Sequence, residues 1–308
     1  MIQALASFIP VVALLVSMLP VAIVRYWLIR QRKKNIRYSP LGTDLLRPPG
    51  HSLALKIKEL DDDILVWLCV LLTTPVLLTA IYLSQLHFGD VANWKLLMFA
   101  FCIGGAAAYA FFANRLRKLL YRRSRYVLGH EGELATAQCL DLLMLKGCRV
   151  FHDVPSDCGN NDHVVISRSG VFSINSKGFS KPQKTKNVAT VDYVARTLTL
   201  TQKSYPLSTI TKPVETEANW LGKFLSQAVG ETISVEPLIA LPGWQVKLVG
   251  KKYEDTCVFS PKNSGGYFLQ SGPDKLSPTL ITRIAHQMDQ ICRNVEAETK
   301  IKHELSND

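Results

Sequence analysis

The chain has 308 residues, a net charge of +11 and an apolar fraction of 47%, unevenly spread. Residues 1–125 hold 16 basic and 6 acidic residues, whereas residues 126–308 hold 20 and 19. The basicity therefore belongs to the first part and is no nucleic-acid footprint of the second. The seven cysteines show neither CxxC pairing nor zinc spacing, which argues against a zinc site.

Three stretches carry no charge: 1–24, 64–86 and 96–114. Each is close to the roughly 20 apolar residues that a helix needs to cross a bilayer. Transmembrane helices are thus predicted at about 4–29, 64–86 and 96–114. The first has its positive charges behind it (Arg25, Arg30, Arg32, Lys33, Lys34), the reverse of a cleaved signal peptide. Nine Lys/Arg lie between Arg25 and Asp63, one in the 87–95 connection and six in "RLRKLLYRRSR" at 115–125. Basic loops stay in the cytoplasm. The N-terminus is therefore expected outside, with loop 30–63 and everything after 115 cytoplasmic, as in a bacterial inner membrane. Membrane lipid is the first expected partner. Gly104 and Ala108 have small-xxx-small spacing, which suits packing within one chain as well as a homo-oligomer.

Residues 1–123 form the expected membrane region and 124–308 a cytosolic α/β domain. Its first helix is predicted over 128–147, where Leu134, Ala137, Leu140, Leu143 and Met144 recur at helical spacing before Gly147. Strands follow at 148–154, 162–168 and 171–177, then a hairpin over 188–202. Pro213 opens a second helix running to about Val229, with Glu215 and Glu217 in its first turn. Further strands are expected at 235–241 and in "VKLVGK", and a last helix over about 277–299.

The stretch "DHVVISRSGVFSINSKG" (162–178) reads as two strands around a turn at Ser169-Gly170. Side chains at i and i+2 share a face of a strand. Ser173, Asn175 and Lys177 therefore share one face, as do Asp162, Val164 and Ile166. Antiparallel pairing brings Asp162 close to Asn175 and Lys177. A carboxylate, an amide and an ammonium then converge, a group suited to phosphodiester hydrolysis: a hard cation takes oxygen ligands and a lysine meets the developing charge. The plainer alternative is a solvated strand-end lysine and an aspartate capping its own turn. His130 and His163 have no Cys or Asp at ligand spacing, so neither is assigned a metal. The loop "KGFSKPQKTK" (177–186) offers Lys181, Lys184 and Lys186 for phosphate contacts.

"GHEGE" opening a helix, Asp153-Val154 ending a strand, then "DHVVISRSGVFSINSK" together resemble the nuclease-related domain, NERD, of the PD-(D/E)xK nuclease superfamily. The resemblance covers about residues 125–245. It implies an α/β, nuclease-like mixed-sheet domain, here preceded by three transmembrane helices. It implies Mg2+ (or Mn2+ in its place) held by Asp162, Glu133 and residue 175, with Lys177 catalytic. Two departures stand out. Asn175 occupies the acid position of acid-x-Lys, and "TKPVETEANW" keeps Pro213 but has Lys212 for the family's Asn and no Gln. The loss of a negative charge at 175 weakens cation binding, since Mg2+ is normally held by one or two carboxylates. Two functions are compatible with this pattern. One is a membrane-anchored protein that binds nucleic acid and hydrolyses it with Mg2+, using Asp162, Glu133, Asn175 and Lys177. The other is a catalytically silent, membrane-tethered scaffold for nucleic acid or protein.

Overall fold

The structure is a computed structural model describing residues 23, 26, 44–88, 94–157, 159–181, 183, 185–201, 203–250, 256–263 and 274–295. The chain divides into two compact units. Among the described residues, one comprises 23, 26, 58–88 and 94–124, the other 44–57 and the described part of 125–295.

Two long helices dominate the first unit: α1 (His51–Phe88) and α2 (Trp94–Asp141), of which 58–88 and 94–124 belong to it. They run antiparallel. Asp61 pairs with Arg123, Trp67 meets Phe112 at 5.9 Å between ring centroids, and Tyr82 meets Phe101 at 5.8 Å. Gly105 lets the Leu78 side chain come within 3.2 Å of where a Cβ would stand, whereas Gly104 faces open space. Gly105 is thus a small residue at which α2 meets α1, whereas Gly104 of the small-xxx-small pair is not. Both helices are long and apolar enough to cross a membrane. Leu65, Leu72, Val76, Leu96, Phe99 and Ile103 are more than half exposed, which suits an apolar surrounding rather than water. The described residues thus contain two helices long and apolar enough to cross a membrane, at two of the three places expected. Of the first, at about 4–29, only residues 23 and 26 are described.

The α/β unit is built on a five-stranded sheet of order β10-β8-β4-β3-β2. Its strands are β2 (Arg149–Ser156), β3 (Gly159–Ser167), β4 (Gly170–Ser176), β8 (Val235–Ala240) and β10 (Cys257–Phe259). β2, β3 and β4 pair antiparallel, whereas β4, β8 and β10 are parallel. A second sheet has the order β7-β6-β5-β9, from β5 (Val188–Asp192), β6 (Thr197–Leu200), β7 (Lys203–Pro206) and β9 (Gln245–Val249). Helix α3 (Ser208–Val229) crosses over between the sheets, and α4 (Pro278–Cys292) closes the unit.

Strand alternation sorts the core. Val165, Phe172 and Ile174 pack on Leu140 and Leu143 on one side of the large sheet. Val164, Ile166 and Val171 pack on Leu221, Leu225, Ile284 and Met288 of α3 and α4 on the other. The expected alternation of strands 162–168 and 171–177 is thereby observed in their apolar residues.

Several boundaries differ from expectation. The helix predicted from 128 is the end of the unbroken α2, because no Pro or Gly-rich break separates it from the basic stretch at 115–125. A short 3-10 turn, Met144–Lys146, follows it, and Gly147 caps that turn at φ +87°. Helix α3 begins at Ser208, five residues before Pro213, which costs the helix one backbone bond but not its course. Glu217 is thus well inside α3 and not in its first turn. The C-terminal helix ends at Cys292, where β11 (Arg293–Val295) begins.

Residues 40–57, expected in the loop between spans, cluster with the α/β unit. β1 (Leu45–Leu46) pairs antiparallel with β11, and the Arg47 amide donates to the Cys292 carbonyl at 3.0 Å. The Arg47 guanidinium donates to the Asp153 carboxylate at 2.9 Å and its carbonyl at 3.2 Å, and to Asn294 Oδ1 at 2.7 Å. Asp153 is buried at 2% exposure, so removal of its cationic partner leaves a charge with little water around it. Arg47→Ala is expected to cost about 3 kcal/mol of stability, the lower end for breaking a buried pair, because other donors remain. In an Asp153→Asn background the same change should cost less than half as much. Denaturant unfolding of the four proteins checks this, and equal costs in both backgrounds would rule out the ion pair as the cause.

Candidate active site

Helix α2 is brought to the end of β4 by glycine. A Cβ on Gly178 would lie 2.6 Å from the Leu128 carbonyl oxygen, and one on Gly132 would lie 3.3 Å from Gly178 Cα. Backbone therefore packs on backbone, with no side chain between. Glu133, next to Gly132 on α2, is held at 7% exposure by this approach.

Asp162 stands where the sheet opens. The β3–β4 ladder stops at His163↔Ile174, and the β2–β3 ladder skips from His152↔His163 to Val154↔Asn161. Asp153, opposite Asp162 across this gap, has φ +49°, a left-handed conformation rare for a residue with a side chain. The freed Ser176 amide donates to Asp162 Oδ2 at 2.7 Å. One residue on, the Lys177 amide donates to the Ala240 carbonyl of β8 at 2.9 Å, which fixes the root of the lysine at the end of β4.

Asn175 lies on the opposite flank of this group, at 5% exposure. Its Nδ2 donates to Glu217 Oε2 of α3 at 3.2 Å. Its Oδ1 is buried with no hydrogen-bond partner among the described residues. Glu217 itself is 8% exposed. Sequence reasoning missed this residue, although a signal was present. Glu217 falls on the α3 stripe formed by Ile210, Val214, Leu221 and Leu225, so an acid occupies a core position.

The electrostatics tie these residues together. Burial, followed by the charges of Asp162 and Asp153, pushes the Glu133 carboxyl well above the usual range, against the pull of Lys177 and Lys56. Loss of hydration likewise raises Asp162, opposed by Lys177 and the Ser176 amide and assisted by Glu217 and Asp153. Burial raises Glu217, opposed by its bond to Asn175 and by Lys177. The charge of Lys177 thus opposes the rise of all three carboxyls. The structure brings Asp162, Glu133 and Lys177 into one field and sets Asn175 against Glu217 at its edge. Among the described residues, no three His, Cys, Asp or Glu side chains are grouped tightly enough to hold an ion by themselves.

Comparison with known families bears on this arrangement. Residues 128–242 match the family model of the nuclease-related domain, NERD. The chain therefore carries a nuclease-related domain, over nearly the span that its motifs suggested. No curated protein and no solved structure matches the chain.

Within the NERD segment Asp153 is already engaged. Besides Arg47 it accepts from the Ser52 amide at 3.2 Å, the Ser52 hydroxyl at 2.7 Å and Asn160 Nδ2 at 3.2 Å. Ser52 lies in the first turn of α1, whose free amides favour a carboxylate there. Gly50, at φ +69°, sits against His130 and Glu133, where a Cβ would come within 2.6 Å of the His130 ring. The 44–52 segment thus forms one wall of the NERD site. Asp157, on the loop after β2, accepts from Trp220 Nε1 at 3.1 Å.

Two of the three candidate lysines of the basic loop are among the described residues. Lys181 is exposed and donates to the Thr185 carbonyl at 3.2 Å. Lys186 is exposed along a groove of about 840 Å³ that Trp244 and Lys262 also line. Lys184 lies outside the described residues.

A polar chain runs behind the site. Asp141 Oδ1 is 2.9 Å from His152 Nε2, His152 Nδ1 is 2.9 Å from His163 Nδ1, and His163 Nε2 is 3.0 Å from Ser176 Oγ. One tautomer assignment satisfies every atom. Ser176 donates to His163, His163 to His152, and His152 to Asp141, with both rings neutral. Burial lowers the His152 pKa despite Asp141, and burial together with His152 lowers that of His163 much further. The unfolded chain, with histidines near pKa 6.5, therefore takes up protons that the fold refuses. The stabilisation is full above that value and is lost as pH falls below it. Unfolding free energy should drop between pH 7 and 5 with a slope approaching about 1.4 kcal/mol per pH unit from His163, and a smaller contribution from His152. His152→Gln with His163→Gln should flatten that slope, as followed by denaturant unfolding at each pH.

Proposed function

We propose that the chain is a membrane-anchored nuclease-related protein that binds nucleic acid and hydrolyses its phosphodiesters with Mg2+. The observation that carries this reading is the convergence of Asp162 and Glu133, both with raised carboxyl pKa values, on Lys177. Acids held together against their own repulsion are poised for a cation, which would relieve it. The donor set suits a hard ion: Asp162, Glu133 and the unpartnered Asn175 Oδ1 are all oxygens. These three residues would hold Mg2+, with waters completing the shell. A bound Mg2+ would polarise the phosphate and acidify a water.

The chain's own groups do the rest. The Ser176 amide fixes one oxygen of Asp162 and leaves the other free. Lys177 donates to the phosphoryl oxygen on which charge develops. Exposed Lys181 and Lys186 contact backbone phosphates away from the reacting one. Asn175 favours a second reading, in which the domain binds nucleic acid without cutting it.

The test uses the full chain in detergent, with Mg2+ or Mn2+ and single- or double-stranded DNA and RNA. Cleavage is expected, and Asp162→Ala or Lys177→Ala should lower it by about 100-fold or more. Binding with no cleavage under any of these conditions would establish the second reading. Anchoring has its own measurement. The chain should stay with membranes after a high-salt or alkaline wash, and its release would remove the membrane from the proposal.

A further inference from the structure

The acid-x-Lys position holds an amide, yet the carboxylate is not missing from the space around it. Glu217 reaches Asn175 from α3, with Oε2 accepting at 3.2 Å from Asn175 Nδ2. Glu217 is 8% exposed and Asn175 5%, so the two side chains meet in a space largely closed to water. Three features make Glu217 more than a partner for an amide. Its neighbours on the helix stripe are core aliphatics, so a buried charge here costs the fold unless something uses it. It satisfies only the amide nitrogen of Asn175. The Asn175 carbonyl oxygen, on a residue 95% buried by its 5% exposure, has no partner among the described residues. An unsatisfied buried acceptor beside an acid is disfavoured in an empty site and suited to one that takes a cation.

We propose that Glu217 is a ligand for a divalent cation, supplying from α3 the carboxylate that β4 lacks at position 175, with Asn175 Oδ1 as the neutral ligand beside it. This rests on the reading that the site takes a divalent cation. Carboxylate and amide have in effect exchanged places across a hydrogen bond. The negative charge that Asn175 removes is restored by a residue 42 positions on. Among the described residues these acids are not grouped tightly enough to hold an ion by themselves, so the cation would have to draw Glu217 in beside Asp162 and Glu133 and keep several waters.

The test measures Mn2+ binding to the full chain in detergent, by electron paramagnetic resonance of the free ion, with no nucleic acid present. Four proteins are compared: native, Glu217→Gln, Asp162→Asn and the exchange Asn175→Asp/Glu217→Gln. The native chain is expected to bind, and Glu217→Gln to bind about 10- to 100-fold more weakly. The exchange variant keeps the hydrogen bond with its donor reversed and returns the carboxylate to β4, so it should recover most of the affinity. Without Mn2+, Glu217→Gln should melt at or above the native temperature, because it removes a repelling charge without changing shape. That measurement separates lost binding from lost fold. If Glu217→Gln binds Mn2+ like the native chain while Asp162→Asn does not, Glu217 is no ligand but the cation site stands. If the native chain binds no Mn2+, the cation reading itself falls and this proposal with it.

Discussion

Backbone meets backbone where α2 passes the end of β4, and the site depends on that contact. The Leu128 carbonyl leaves no room for a side chain at Gly178. Gly132 lies against the same point from the helix side. With larger residues the helix would stand off, and Glu133 would reach water instead of the field of Asp162 and Lys177. The glycines of "GHEGE" and of Lys177-Gly178 are thus distance-setting residues. They turn two ordinary elements, an amphipathic helix and a strand, into facing walls of one cleft.

The chemistry follows from what those walls exclude. Burial makes each of three acids costlier to ionise, and the charges of Asp153 and Asp162 add to that cost at Glu133, as those of Glu217 and Asp153 do at Asp162. Around them the fold spends its hydrogen bonds selectively. Asp153 receives four polar donors and is settled, whereas Asn175 keeps an oxygen bare. The histidine chain behind β4 is complete as well, with each ring nitrogen assigned. Among the described residues two buried side-chain atoms lack a partner, Asn175 Oδ1 on β4 and Asn161 Nδ2 on β3, the latter next to Asp162 in sequence. Such uneven satisfaction is what a functional site shows against a well-packed background.

Local patterns were legible in the sequence where one element determines them. The turn at Ser169-Gly170 and the apolar alternation of its strands follow from period and turn chemistry, and both are seen. The two described apolar helices follow from length and charge. What escaped depends on contacts between distant segments. Glu217 looks like a dipole acid only if α3 starts at Pro213, and the start at Ser208 moves it into the buried stripe. Arg47 and Ser52 sit in a loop by any local criterion, and nothing near them announces Asp153. The His152–His163 pair needs the β2–β3 register, which spacing alone does not provide. The Asn175 departure was visible at once, but its counterpart on α3 was visible only in three dimensions.

The strap that Arg47 anchors has a consequence for how the chain is made. β1 and β11 pair residues 45 and 295, so the α/β unit is sewn shut from two places far apart in synthesis. Leu45, Arg47 and Ser52 leave the ribosome before the helices of 58–124, and their partners at 153 and 292–295 emerge long after. The first-made piece must wait, uncommitted, through the synthesis of both apolar helices. Loop-closure entropy grows only slowly with length, so the finished seam is affordable. Non-local pairing is slow to be found, so the seam weighs on the rate of folding more than on stability. Gly50 lies against His130 and Glu133, so the wall beside Glu133 is supplied by the part of the α/β unit that is synthesised first.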